Sequence, residues 1–195
     1  MMKIAAFAAL SLILVGGEPN WKLEKESDGI KVYLADAENS YIKQFKVESF
    51  VEATAKEIVD AVLDIENNYK WFVNVEQGKL IERISPNEFI FSQVIEVPFP
   101  FKNRQVVQKS KVSRLENGAF RIDLNSVSDA LAEEDDYVRM TVAKGYWILT
   151  PTQEGTNIEY SFLADPAGNI PAWLANQFIV DNPLKTIKGL REYLE

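Results

Sequence analysis

The chain has 195 residues, of which 47% are hydrophobic, and this length and composition suit one domain with a single buried core. Its 29 Asp and Glu residues outnumber its 21 Lys and Arg residues, and the formal charge of −8 argues against nucleic acid as a partner. The absence of His and Cys excludes the usual general base near neutral pH, a thiolate nucleophile and the ligands that transition metals prefer.

The first 17 residues, MMKIAAFAALSLILVGG, have the pattern of a secretory signal. Lys3 precedes a largely apolar stretch, Ile4–Val15, which is too short to span a bilayer. Small residues follow, so cleavage is expected after Gly17. We therefore expect residues 1–17 to be removed and residues 18–195 to be exported, to the periplasm or the medium. An uncleaved N-terminal membrane anchor is the alternative.

Alternation of apolar and polar residues predicts a long succession of strands. Two are expected within 21–35 around a turn at Ser27–Gly29, and one at 41–51. The remaining strands are expected at 79–85, 88–97, 104–115, 119–128, 137–151 and 156–165. Because short turns join most of them, we expect the strands to pair in antiparallel fashion.

Two regions predict helices. Thr54 and Glu57 have the spacing of a capping box, which indicates a helix from about 55 to 65. A second short helix, or a continuation of the first, is expected to carry Tyr69, Trp71 and Phe72. A long C-terminal helix is expected to begin near Pro171 and to be kinked or divided at Pro183. This order of elements predicts an α+β grip, in which a curved antiparallel sheet wraps around the C-terminal helix, and a cavity is common in such an architecture.

A spaced set of Gly, Pro and aromatic residues occupies the last fifty positions. Its members are Gly145, Trp147, Leu149, Pro151, Gly155, Thr156, Ile158, Tyr160, Asp165, Pro166, Gly168, Ile170, Pro171, Trp173, Leu174, Asn176 and Pro183. This pattern resembles the C-terminal part of START (steroidogenic acute regulatory protein-related lipid transfer) domains. The segment 97–108 is similar to the family's proline-then-Asn-Arg-Asp segment, but Gln105 replaces the usual Asp, which weakens any Arg-Asp pairing at Arg104.

The resemblance covers about residues 21–195. It implies a helix-grip protein that binds or carries a hydrophobic molecule without a cofactor, in a tunnel closed by the C-terminal helix. The expected ligand-binding residues are Trp71, Phe72, Phe91, Gln93, Phe120, Ile122, Leu124, Trp147, Tyr160, Phe162, Trp173, Leu174, Asn176, Phe178 and Val180. A solid core is the alternative role for the apolar residues in this set.

Specificity in an apolar tunnel would come from a few polar groups, because a ligand hydroxyl that is buried there without a hydrogen-bond partner loses binding free energy. The candidates are Gln93, Gln108, Ser126, Asn176 and Tyr160. For each of them, exposure to solvent or a bond to the backbone is the alternative.

The segment 97–101, Val-Pro-Phe-Pro-Phe, cannot join a helix or a central strand. Its two Phe side chains are either exposed at a tip, where they enter a membrane transiently, or tucked under the edge of the sheet. Lys102 and Arg104 favour an anionic surface for the first arrangement. The acidic run Glu133–Asp136 lacks the spacing and the Gly of a calcium loop, so a solvated turn is expected.

Two functions of different classes are compatible with these features, and a structural or partner-binding domain with a collapsed tunnel is a third. The first is an exported, non-enzymatic protein that binds or transfers a lipid-like or sterol-like molecule. The alternative is a cyclase-type or hydrolase-type enzyme of the same fold, in which a buried carboxylate or Tyr moves the proton because His and Cys are absent. A carboxylate inside the cavity would favour the enzyme.

Overall fold

The computed structural model describes residues 19–37, 42–171, 174–175 and 177–195. The expected signal peptide lies outside this part of the chain, as do Trp173 and Asn176 of the expected ligand-binding set.

One curved sheet forms most of the domain, as the sequence predicts, and it has ten strands where nine are expected. Its strands are β1 (Lys22–Ser27), β2 (Ile30–Asp36), β3 (Lys43–Val51), β4 (Val75–Ser85), β5 (Glu88–Ile95), β6 (Arg104–Arg114), β7 (Phe120–Ser126), β8 (Val138–Met140), β9 (Ala143–Pro151) and β10 (Thr156–Ala164). The spatial order is β1-β2-β3-β10-β9-β7-β6-β5-β4, with β8 beside β6.

The single strand expected at 137–151 is wrong, because this segment forms two strands. β8 pairs with β6 in parallel, whereas β9 pairs with β7 and β10. β7 lies between β6 and β9 in the sheet, so one straight strand cannot pair with β6 and also with the opposite edge of β7. The chain therefore breaks at Thr141–Val142 and moves across the end of β7.

The first helix confirms the capping box. In α1 (Ala55–Leu63), the backbone nitrogen of Glu57 donates to Oγ1 of Thr54 at 3.3 Å. The backbone nitrogen of Thr54 donates to the Glu57 carboxylate at 2.8 Å. Both groups would otherwise be unpaired at the helix start. A 3₁₀ segment, Ile65–Lys70, follows.

The C-terminal helical region is divided at Pro183, as expected. A π-helical segment, Gln177–Asp181, leads into α2 (Asn182–Leu194), which has Pro183 in its first turn. Proline has no N–H to donate and its ring crowds the carbonyl four residues earlier, so a regular helix does not continue through it. Two segments of different geometry result.

The C-terminal half of α2 is fixed to the sheet. The guanidinium of Arg191 donates to the carbonyls of Phe50 at 3.1 Å and Asp28 at 2.8 Å, and Lys188 forms an ion pair with Asp28. Ile187 and Leu190 are completely buried on the same helix. This packing holds α2 across the concave face of the sheet.

Candidate ligand-binding cavity

A cavity of about 490 Å³ lies between the concave face of the sheet, α1 and the segment that leads into α2. This volume falls within the range of roughly 300–1,000 Å³ that is usual for small-molecule sites. β5, β6 and β10 supply much of its wall, and Ala175, Phe178 and Pro183 border it on the helical side.

The two ends of the cavity differ in exposure. At one end the lining residues include the exposed Lys43 and Gly168 and the half-buried Asp165. At the other end Trp147 and Tyr160 are almost completely buried. We call the first end the mouth and the second the inner end.

Most of the expected ligand-binding residues come together around this cavity. Those that line it are Trp71, Phe72, Phe91, Gln93, Leu124, Trp147, Tyr160, Phe162 and Phe178. Contact between these side chains and a ligand stays a prediction.

Four other expected residues are described but do not line the cavity. Phe120 and Ile122 share a face of β7 with Leu124, yet they pair with Leu149 and Trp147 of β9, beyond the inner end. Val180 packs against the core, and Leu174 borders a separate hollow of about 380 Å³.

Stacked aromatic rings form the inner end. The Trp147 and Tyr160 rings are nearly parallel, with their centroids 4.0 Å apart. Trp71 meets Trp147 edge-on at 6.5 Å, and Phe72 meets Tyr160 edge-on at 6.3 Å. Burial raises the pKa of the Tyr160 hydroxyl, and no hydrogen bond contributes to that change. The phenol is therefore neutral at physiological pH.

Arg104 lies at the mouth, and its partners are backbone carbonyls. Its guanidinium donates to Pro166 at 2.8 Å, Ala167 at 2.9 Å and Lys102 at 2.5 Å. Among the described residues, no carboxylate lies within 4.0 Å of it. Desolvation lowers the pKa of this guanidinium, which nevertheless stays charged in proteins.

Gln105, the departure from the family pattern, points into a different cluster. Its side-chain oxygen accepts a hydrogen bond from Arg139 at 2.6 Å, and its nitrogen donates to Glu134 at 2.9 Å. Arg139 also donates to the carbonyl of Ala132 at 2.8 Å. This cluster covers the outer face of β6, so the first half of that strand is buried on both faces.

The polar side chains of the inner wall are uncharged. With its amide oriented so that both ends find partners, Asn68 donates to the carbonyl of Ala61 at 3.0 Å and accepts from Nε2 of Gln93 at 3.2 Å. Gln108 and Ser110 also line this wall, whereas the hydroxyl of Ser126 donates to the carbonyl of Thr141 at 2.8 Å. Ser126 therefore takes the backbone-bonded role that was its alternative.

Sequence reasoning missed several lining residues: Asn68, Arg104, Val106, Ser110 and Met140. Three of these are on β6, where Arg104, Val106, Gln108 and Ser110 alternate along one face. The intervening residues Gln105 and Val107 are also buried, so both faces of this part of β6 are covered. A strand that is buried on both faces has no apolar-polar alternation in its sequence that would identify the face toward the cavity.

The loop between β5 and β6 exposes one of its two Phe side chains. Phe99 is 96% exposed, whereas Phe101 is half-buried. The acidic run Glu133–Asp136 is solvent-exposed, as expected. In the part of the chain that is described, no acidic cluster is arranged to hold a metal ion, and no helix has the length and apolarity needed to cross a membrane.

Known proteins resemble this chain over most of its length. Residues 3–195 match the family model described as START domain. An uncharacterized protein of Pseudomonas aeruginosa is 32% identical over 90% of this chain and 87% of its own length. The phosphatidylcholine transfer protein of Mus musculus is 24% identical over 80% of this chain and 75% of its own length. The crystal structure of a STAR-related lipid transfer protein fragment from Xanthomonas axonopodis superimposes with a TM-score of 0.82 at 33% identity, covering 89% of this chain and 98% of that one.

Proposed function

The chain belongs to the START domain family, and on that premise we propose that it is an exported carrier that holds a lipid-like molecule in its internal cavity. The cavity of about 490 Å³, with its aromatic inner end, is the observation that carries this proposal. An apolar molecule that loses a few hundred Å² of exposed surface gains on the order of 10 kcal/mol before association costs, at about 25 cal/mol per Å².

Carriage suits the chemistry of the cavity better than catalysis does. In the described part of the chain, Asp165 is the carboxylate that lines the cavity, and it lies at the mouth. Burial raises the pKa of Tyr160, so this phenol stays protonated, cannot act as a base and is a weak proton donor. The inner end therefore offers apolar surface and neutral polar groups to a bound molecule and supplies no evident proton shuttle.

The segment that leads into α2 is the proposed lid. Arg191 and Lys188 fix the far end of α2 to the sheet. Asp181, at the end of the π-helical segment, forms an exposed ion pair with Lys25 at 2.6 Å. Exposed pairs of this kind contribute about 1 kcal/mol or less. Opening near Asp181 would uncover the cavity while α2 stays in place.

Native mass spectrometry of the protein purified from its host tests both export and carriage. Cleavage after Gly17 leaves a chain that begins at Glu18, and its mass identifies the mature form. We expect one lipid per chain, which organic solvent removes. A protein that emerges empty, and that also fails to bind fluorescent sterol and acyl probes, would exclude carriage.

Phe99 is expected to act during exchange with a membrane, as the exposed tip of the β5–β6 loop. A Phe side chain gains about 1.5–3 kcal/mol on full burial in an apolar phase, equivalent to roughly tenfold or more in a rate limited by membrane contact. We therefore expect Phe99→Asp to slow transfer of a fluorescent acyl lipid between phosphatidylcholine vesicles by about tenfold, without changing its affinity in solution.

Leu23→Asp is the matched control, because Leu23 is an exposed apolar residue on β1, an edge strand that is distant from β5 and β6 in the sheet. This variant is expected to transfer lipid at the wild-type rate. Equal slowing by both substitutions would assign the effect to general surface polarity and remove the loop from the exchange step.

A further inference from the structure

Two polar side chains on β6 are buried without a hydrogen-bond partner. They are Gln108, whose Nε2 is unpaired, and Ser110, whose Oγ is unpaired. Gln108 is 3% exposed and Ser110 is completely buried, and both line the cavity. Buried polar atoms in folded proteins nearly always have a partner, so each such exception calls for an explanation. A bound molecule that supplies the missing partners is one.

The register of the sheet places both groups well inside the cavity. Gln108 lies opposite Phe91 of β5, and Ser110 lies opposite Leu124 of β7. Their even spacing along β6 points both side chains to the same face as Arg104. Ser110 is six positions along the strand from Arg104, which is about 20 Å at 3.3–3.4 Å per residue, and Gln108 is four positions away, which is about 13 Å. The unpaired groups are therefore far from the cation at the mouth.

The surroundings of this pair carry no charge. The other uncharged polar side chains of the lining are Asn68, Gln93, Tyr160, Asn182 and Thr186, whereas the charged lining residues of the described chain, Lys43, Arg104 and Asp165, are at the mouth. A phosphate or carboxylate beside Ser110 would lose its hydration without gaining a counter-ion, which is strongly unfavourable. An uncharged polar group has no such cost, and it pairs with both groups when the two side chains rotate toward the cavity.

From these observations we infer that Gln108 and Ser110 form a subsite that selects lipids with an uncharged hydrogen-bonding group, such as a hydroxyl, ester or amide, at the end that enters first. The amide nitrogen of Gln108 donates to an oxygen of that group, and the Ser110 hydroxyl donates or accepts as the group requires. This inference rests on the proposed carrier function and adds the chemical class of the cargo.

Binding of 1-hexadecanol and hexadecane tests the subsite, because these molecules have the same chain and differ in one hydroxyl. Their affinities are measured by displacement of a fluorescent acyl probe from the full-length mature protein. We expect the alcohol to bind about tenfold more tightly than the alkane, as one or two net hydrogen bonds would give. The double substitution Gln108→Leu and Ser110→Ala is expected to remove this preference, so that the affinities for the alcohol and the alkane differ by less than about twofold in the variant.

Ser113→Ala on the same strand is the control, because Ser113 does not line the cavity, and it is expected to change neither affinity. The double variant should melt at or above the wild-type temperature, since it removes unpaired buried groups. If it nevertheless fails to fold, Gln108→Met alone repeats the test with a side chain of similar shape.

Three outcomes would overturn the inference, and they are distinguishable. If wild-type protein binds neither molecule nor the probe, carriage itself fails. If it binds the alcohol and the alkane equally, the carrier function stands and the subsite fails. If hexadecanoate loses as much affinity as hexadecanol in the double variant, a charged head reaches the subsite and selection for uncharged groups fails.

Discussion

Replacement of Val106 by Trp is expected to abolish lipid binding while the protein stays folded. Val106 lies on the cavity wall between Arg104 and Gln108, opposite Gln93 of β5 and Met140 of β8. An indole at this position projects into the space that a ligand would occupy. Because that space is a cavity of about 490 Å³, the larger side chain has more room than in a close-packed core.

The measurement is lipid stoichiometry by native mass spectrometry, together with probe affinity. We expect loss of the co-purified lipid and a decrease of more than tenfold in probe affinity. Val142→Trp is the matched control: Val142 is 43% exposed in the connection between β8 and β9 and does not line the cavity. Full lipid occupancy in Val106→Trp would show that the ligand binds somewhere else.

Replacement of Trp147 by Ala is expected to lower the free energy of unfolding by about 3–5 kcal/mol, the usual cost of deleting a buried Trp side chain. Trp147 is 1% exposed, stacks on Tyr160 and contacts the edge of Trp71. The void that it leaves would join the existing cavity, so neighbouring side chains cannot collapse to fill it. The cost should therefore lie toward the upper end of this range.

Urea denaturation of the ligand-free protein measures this effect, provided that the dependence on urea concentration is the same in both proteins. Trp21→Ala provides the comparison, since Trp21 is half-buried and its ring lies 5.5 Å from the Lys46 ammonium. That change is expected to cost about 1 kcal/mol. A similar small cost for Trp147→Ala would mean that the aromatic stack is not part of the stabilising core.

Much of the fold is readable from local sequence, because the features concerned are local. Thr54 and Glu57 are three residues apart and cap a helix start by themselves. The restriction that Pro183 places on the backbone divides the C-terminal helical region wherever the helix packs.

The depth of each residue in the cavity is not readable in this way. Phe120, Ile122 and Leu124 alternate correctly on β7, and alternation assigns all three to the concave face. Only Leu124 lines the cavity, because the stacked Trp147 and Tyr160 close it one row further along the sheet. Periodicity identifies the face of a strand, whereas the position of the cavity along that strand depends on distant residues.

The sequence by itself determined the strands, the capped helix, the divided C-terminal region and the family, since each depends on neighbouring residues or on a spaced motif. The tertiary structure alone decided that 137–151 is two strands, that Arg104 is held by carbonyls at the mouth, and that Gln108 and Ser110 are unpaired inside. The reason is physical: pairing and burial are set by contacts between residues that are far apart in the chain. The pattern of residues that are neighbours in the chain does not indicate which distant residues will be in contact.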